Sequence, residues 1–195
     1  MKMRSSGMAV TLATALVMAA TAAPSAWAAK PAGADFIRTS IRGNLAEMAV
    51  GRLAEERGST PRVKALGATL AKDHAAANLE AVQAAQSLGV KAPRAPDPAQ
   101  KAAYRKLAAL SGPKFDEAFV KRMVADHHRD IALYGREVDE DDNAAGVYAK
   151  EALPRLRQHL ELARELAGPE PDPAEADSPD TPDARNTTPS ARPPD

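Results

Sequence analysis

The apolar residues of this chain recur at the spacing of a helix face in four long stretches. In the clearest, residues 115–138, steps of three, four or eight separate Phe115, Phe119, Met123, Ile131, Tyr134 and Val138. The same pattern predicts long helices over residues 35–57, 61–89 and 143–167, and a shorter helix over residues 98–110. Because such helices are not stable alone in water, we expect them to pack as an antiparallel bundle.

Several helix ends are predicted by capping residues. Asp35 is a candidate N-cap for the first helix, and Thr60 followed by Pro61 is a favoured order at the start of the second. Asp97 gives the same signal for the short helix. Pro154 lies inside the last helix, where it is expected to bend the axis.

Composition supports an all-α fold. Aromatic residues make up 4% of the chain, so the core must be built from Ala, Leu, Val and Met, which favours close-packed helices over a sheet. The short helix then lies in the connection between the second and third long helices. Cysteine is absent, which excludes thiolate metal sites, cysteine nucleophiles and disulfides.

The two ends of the chain differ from its middle. Residues 1–28 are typical of a secretory signal peptide, with Lys2 and Arg4 at the positive end and a small-x-small cleavage pattern at 26–28. The apolar stretch between them is shorter than the roughly 20 residues of a spanning helix. We therefore expect export to the periplasm or the cell exterior, with no membrane span after cleavage.

The remaining boundaries follow from composition. Residues 29–34 form a short linker, residues 35–168 hold the helical bundle, and residues 169–195 form an acidic, proline-rich tail predicted to be disordered. The formal net charge is zero and the signs are interspersed, so nucleic-acid binding lacks a basic stripe. The sequence does not identify a partner, which could be an envelope component or another protein.

Each long helix carries one polar residue whose helical neighbours are mostly uncharged. Positions three, four and seven residues away report a side chain's surroundings in a helix. By this measure the inward-facing residues are Glu47, His74, His127 and His159. Asp126 and Glu161 have several charged neighbours instead, so we expect both on the surface.

These four side chains suit a transition-metal ion. Three imidazoles and a carboxylate are ligands for zinc, copper(II) or iron(II), and bundle cores are where such sites are built from facing helices. The secondary candidates are Asp73, His128 and Met123. The alternative is a buried hydrogen-bond network, because a single histidine on an apolar face is more often a paired core residue than a ligand.

The sequence resembles a known family. The segments that carry the resemblance are LAKDH at residues 70–74, MVADH at 123–127, and LPRL at 153–156 leading to His159. The opening FIRTSIRGNLAEMAVGRLAEE and residues 59–70 fit the same pattern. On these segments the chain is similar to the bacterial domain-of-unknown-function family DUF4142, described as secreted outer-membrane or periplasmic proteins.

The resemblance implies a ferritin-like four-helix bundle with a crossover, and it covers about residues 35–167. It implies little about activity. Classical di-iron ferritins place a glutamate three residues before a ligand histidine, whereas Ala71 and Leu156 stand there before His74 and His159. The bridging carboxylates of a di-iron site are therefore missing.

We expect an exported helical bundle that binds one transition-metal ion, for metal binding or envelope stress protection. Hydrolase and nucleotide-binding functions lack a nucleophile–base pair, paired catalytic carboxylates and a glycine-rich phosphate loop. The first alternative is a metal-free structural or interaction module of the envelope with a buried His–Glu network. The second is a small metal-dependent redox enzyme, which would need an open coordination position reached by solvent.

Overall fold

The structure, a computed structural model, describes residues 31–140 and 142–168. These residues form five helices and no strand, which confirms the all-α prediction. The helices are α1 (Ala34–Arg57), α2 (Pro61–Ser87), α3 (Pro98–Ala108), α4 (Gly112–Glu140) and α5 (Ala144–Ala167). The predicted signal peptide, residues 1–28, and the predicted tail, residues 169–195, lie outside the described residues.

Two predicted caps are present, and a third is replaced by a different residue. The Thr60 side chain accepts from the backbone N–H of Val63 at 3.3 Å, and Asp97 forms a capping box at the start of α3. The prediction that Asp35 caps α1 is wrong. The N-cap is Gly33, whose φ of 73° suits a glycine, so Asp35 lies in the first turn, where its charge favours the positive end of the helix.

The four long helices form a ring in the order α1, α2, α5, α4. α1 packs against α2 and α4 packs against α5, while α2 and α5 also contact each other. The connections 58–60 and 141–143 are only three residues long, so each of these pairs must be antiparallel. α3 lies against α1 and α4. α5 continues through Pro154.

Helices α1 and α2 approach so closely that their backbones touch. A Cβ atom on Gly51 would lie 2.7 Å from the carbonyl oxygen of Gly67, and one on Gly67 would lie 2.6 Å from the carbonyl oxygen of Gly51. Two glycines facing each other therefore permit this helix pair to pack more tightly than side chains would allow. This contact sets the distance between α1 and α2, which carry two of the polar residues described below.

The core consists of two apolar clusters at opposite ends of the bundle. One contains Phe36, Ile37 and Ile41 from the first half of α1, with Tyr148 and Leu153 from the first half of α5. The other is formed by the second halves of α1 and α5 and the first halves of α2 and α4, and includes Val50, Leu70, Phe119, Met123 and Ala163. A layer of polar side chains lies between the clusters, at mid-height of every long helix.

The apolar residues of α1 predict a buried stripe through Ile41, Leu45, Met48, Ala49 and Leu53, and only its two ends are buried. Leu45, Met48 and Ala49 are only half-buried, whereas Asn44 and Glu47 are buried. The close packing at Gly51 instead turns toward the core a side of α1 that carries small and polar residues. None of the helices in the two described ranges is long and apolar enough to cross a membrane.

Candidate metal centre

All four residues predicted to face inward are buried. Glu47 is 4% exposed, His74 3%, His127 0% and His159 1%. His74 and His127 lie near the middle of their helices and His159 lies in the second half of α5. All three lie between the two apolar clusters, where a polar side chain must find a partner. The partners of the three imidazoles define which ring nitrogens remain free.

One ring nitrogen of His127 forms a hydrogen bond within its own helix. Its Nδ1 lies 2.9 Å from the carbonyl oxygen of Met123, one turn earlier in α4. A carbonyl oxygen can only accept, so Nδ1 carries the hydrogen and donates it. In the neutral ring, Nε2 is therefore left with a lone pair, which points toward α5.

His159 is held from the opposite side by a carboxylate. Its Nε2 lies 3.0 Å from Oδ2 of Asp73 on α2 and donates to it. The Nδ1 atom then carries the lone pair, and it lies 3.3 Å from Nε2 of His127. Two unprotonated nitrogens thus face each other in the core.

His74 contributes the third lone pair. Its Nδ1 lies 3.0 Å from Oδ1 of Asn44, and the Asn44 amide is oriented by donating from Nδ2 to the Tyr148 hydroxyl at 2.9 Å. Nδ1 of His74 is therefore the donor, and Nε2 is the free nitrogen. That Nε2 is buried and has no hydrogen-bond partner.

Burial keeps these three rings neutral at neutral pH. Desolvation is the main cause of lowered pKa values for all three: the pKa of His127 falls to about 4, and those of His74 and His159 fall below the ordinary histidine value. The neighbouring imidazoles lower the pKa of His74 and His127 further, while Asp73 opposes the shift for His159. A proton is thus poorly suited to bridge the facing lone pairs.

The three histidines could hold a metal ion. One ring nitrogen from each lies within 4.8 Å of the other two. Two nitrogens bound at about 2.1 Å to a tetrahedral ion are about 3.4 Å apart, close to the separation of the His127 and His159 nitrogens. The outer contacts, a carboxylate on one ring and a backbone carbonyl on another, are those that commonly orient metal-bound histidines.

Glu47, predicted as the fourth ligand, lies outside this three-histidine group. Its carboxyl group is close to Asp126 and Asp130 on α4, and its Oε2 is buried without a partner. Burial, followed by the charges of Asp126 and Asp130, raises the pKa of Glu47 to about 8. The same desolvation raises the pKa of Asp130 to about 6.

The three secondary candidates have different surroundings. Asp73 contacts the site through His159. Met123 is fully buried in an apolar cluster and meets His127 through its carbonyl oxygen. His128 is exposed, and its Nε2 accepts from Arg164 at 3.0 Å.

The prediction that Asp126 lies on the surface is wrong. It is 9% exposed and pairs with Arg122 at 3.1 Å and Arg129 at 2.7 Å. The charged neighbours that suggested exposure are the partners that allow the carboxylate to be buried. Glu161 is exposed, as predicted.

Sequence reasoning missed Asn44 and the role of two tyrosines. Tyr148 accepts from Asn44 and lies 3.2 Å from the hydroxyl of Tyr134, which extends the hydrogen-bond chain from His74 to the next apolar cluster. The available signal was the position of Asn44, three residues after Ile41 and three before Glu47 on one side of α1.

The chain belongs to the family called domain of unknown function DUF4142, whose model matches residues 18–166. The matched segment includes all three histidines of the group. No curated protein and no solved structure matches the chain.

Proposed function

We propose that this member of the DUF4142 family is an exported helical-bundle protein that binds one transition-metal ion through His74, His127 and His159. The role would be metal binding or protection of the envelope against stress. One observation carries the proposal: each imidazole donates one ring N–H to a protein acceptor, and one nitrogen of each ring lies within 4.8 Å of a nitrogen of the other two. Neutral rings arranged in this way repel one another unless a cation lies among them.

The proposed bundle arrangement is ferritin-like. Its support is the position of the two apolar clusters, which pair the second half of α1 with the first half of α4 and so make α2 and α4 run in the same direction. The connection between them, residues 88–111, then crosses the length of the bundle and carries α3. The proposed export rests on the signal-like pattern of residues 1–28.

Three imidazoles suit zinc, copper(II) or iron(II) more than magnesium or calcium, which prefer oxygen ligands. Three protein ligands also leave a tetrahedral ion with one free position. The proposed stoichiometry is one ion per chain, because the described residues contain a single group of this kind.

A metal-free structural module is the second candidate. The observation that favours it is the hydrogen-bond chain from His74 through Asn44 to Tyr148 and Tyr134, which satisfies polar groups far beyond the three rings. In that case the histidines would stabilise the bundle whether or not an ion is supplied.

Elemental analysis and metal titration separate the two candidates. Protein purified untagged from the cells that make it is analysed for metals, stripped with a chelator, and titrated with zinc, copper, iron and manganese. The expected result is about one tightly bound equivalent, absent in His127→Ala and retained in the neighbouring control His128→Ala. Circular dichroism checks that both variants remain helical. No bound metal and no thermal shift on titration would exclude the metal site and favour the structural module.

A further inference from the structure

A cavity of about 450 Å³ lies beside the three-histidine group, mainly between α1 and α4. Its lining includes Gly43 and Glu47 from α1, His74 from α2, and Arg129 and Asp130 from α4. Among these residues His74 belongs to the proposed metal site, so the cavity reaches the site from one side. A second cavity touches His74 and His159 but holds only about 10 Å³, room for one water at most.

Two buried polar atoms without a hydrogen-bond partner belong to side chains that line this cavity. They are Oε2 of Glu47 and Nε2 of His74, and both side chains are more than nine-tenths buried. Buried polar atoms in proteins are almost always paired, so two unpaired atoms from different helices at one cavity indicate a polar occupant. The metal ion would account for Nε2 of His74, and Glu47 remains to be accounted for.

We propose that this cavity admits a small external ligand to the free coordination position of the metal, and that Glu47 is the second contact of that ligand. The inference rests on the proposed metal site. Its ligand class is a small neutral or singly charged molecule with oxygen or nitrogen donors, for which azide is the probe. Glu47 thereby becomes a ligand-binding residue instead of a metal ligand.

The charges around the cavity agree with this ligand class. Three arginines and three aspartates line the cavity, so its formal charges balance, and Arg122 and Arg129 both pair with Asp126. The desolvated carboxyl group of Glu47 has its pKa raised to about 8, so it is protonated at neutral pH and can donate a hydrogen bond. A neutral or singly charged ligand on the metal would thus meet a hydrogen-bond donor in a cavity whose formal charges balance.

The test uses azide on the copper(II)-loaded protein, because azide bound to copper(II) gives a charge-transfer absorption band. Gly43 lines the cavity, and a Cβ atom placed there would meet nothing within 4 Å, so we expect Gly43→Leu to place its side chain in the opening. Gly135→Leu is the matched control, since Gly135 also has open space but lies outside the cavity lining. Metal content is measured for every variant before azide is added.

The expected result is azide binding to the wild type and to Gly135→Leu, with affinity at least tenfold lower in Gly43→Leu at unchanged copper content. Glu47→Leu provides an independent test, since it should keep one equivalent of copper and weaken azide by roughly tenfold through loss of one charge-assisted hydrogen bond. Absence of copper from the wild type would instead contradict the metal site itself. Copper binding without azide binding, or equal azide affinity in all variants, would overturn the cavity proposal alone.

Discussion

Oδ2 of Asp73 lies 3.0 Å from Nε2 of His159, so a carboxylate on α2 accepts a hydrogen bond from the imidazole on α5 whose other nitrogen faces His127. The ring is 1% exposed, while the Asp73 side chain is 29% exposed. The carboxylate thus reaches the core from the edge of the bundle. It fixes the orientation of His159 and raises the electron density at Nδ1.

We expect Asp73→Asn to weaken metal binding by about 10- to 100-fold, because the amide can still accept the hydrogen bond but no longer carries the charge that makes the imidazole a better ligand. Competition with a chromophoric chelator measures the affinity. The exposed Asp139→Asn variant is the control and should bind metal as the wild type does. Equal affinity in the two variants would mean that Asp73 has no influence on the site.

Glu47→Gln is expected to change how stability depends on pH. Burial raises the pKa of Glu47 from 4.5 to about 8, so between these values the folded state holds a proton that the unfolded state has released. The contribution of Glu47 to the free energy of unfolding is therefore full below pH 4.5 and is lost as the pH rises through about 8. The difference between wild type and variant should amount to a few kcal/mol across this range, on the order expected from linkage.

Urea unfolding of the metal-free proteins at pH 5, 6.5 and 8 measures this difference. The lowered histidine pKa values act in both proteins and cancel in the comparison. Wild-type stability should fall relative to Glu47→Gln with increasing pH. Parallel curves would show that the Glu47 carboxyl group titrates normally.

Asn44→Leu is expected to lower both stability and metal affinity. The substitution removes the acceptor of His74 Nδ1 and the donor to the Tyr148 hydroxyl, and leaving buried groups unpaired costs about 1–3 kcal/mol each. Tyr148→Phe removes the bonds of the Tyr148 hydroxyl to Asn44 and Tyr134 but leaves the acceptor of His74 Nδ1 in place. It should therefore reduce the free energy of unfolding while metal affinity stays near the wild-type value. Chemical unfolding and metal titration of both variants check this, and equal losses of metal affinity in the two would contradict the role of Asn44.

Gly51→Ala is expected to destabilise the protein by about 1–3 kcal/mol, because the added methyl group would overlap the backbone of α2 and force the helices apart. Gly135→Ala is the opposite case. A Cβ atom there meets nothing within 4 Å, and alanine restricts the unfolded chain more than glycine, so a gain of about 0.5–1 kcal/mol is expected. Thermal unfolding of both variants distinguishes these outcomes, and similar shifts in the two would mean that α1 can move away from α2 at little cost.

The helices were predictable because their signals are local. Periodicity located all five, and Thr60 and Asp97 marked two starts through contacts within one turn. The burial of His74, His127 and His159 was also predictable, since a helix face is defined by residues three and four positions away. Asp126 shows the limit of this rule, because charged neighbours can be partners in a buried ion pair as well as signs of exposure.

The composition of the site could be predicted only in part. Helical phase shows that Glu47 faces inward but not at which height and angle it meets the other helices, and these depend on the glycine contact between α1 and α2. Asn44 was missed for the same reason, since its partners His74 and Tyr148 lie 30 and 104 positions away. Hydrogen-bond partners so distant along the chain leave no local pattern.

The position of the polar layer between two apolar clusters also determines the alignment of the helices. An alanine-rich core has few large side chains to interlock, so a helix could slide along its neighbours by one turn, about 5.4 Å, at little loss of packing. Here such a slide would carry an imidazole into an apolar cluster and strip it of its acceptor, which is far more costly. The three histidines therefore set the register of the helices along the bundle axis. Their removal should leave a bundle with several competing helix alignments in place of one.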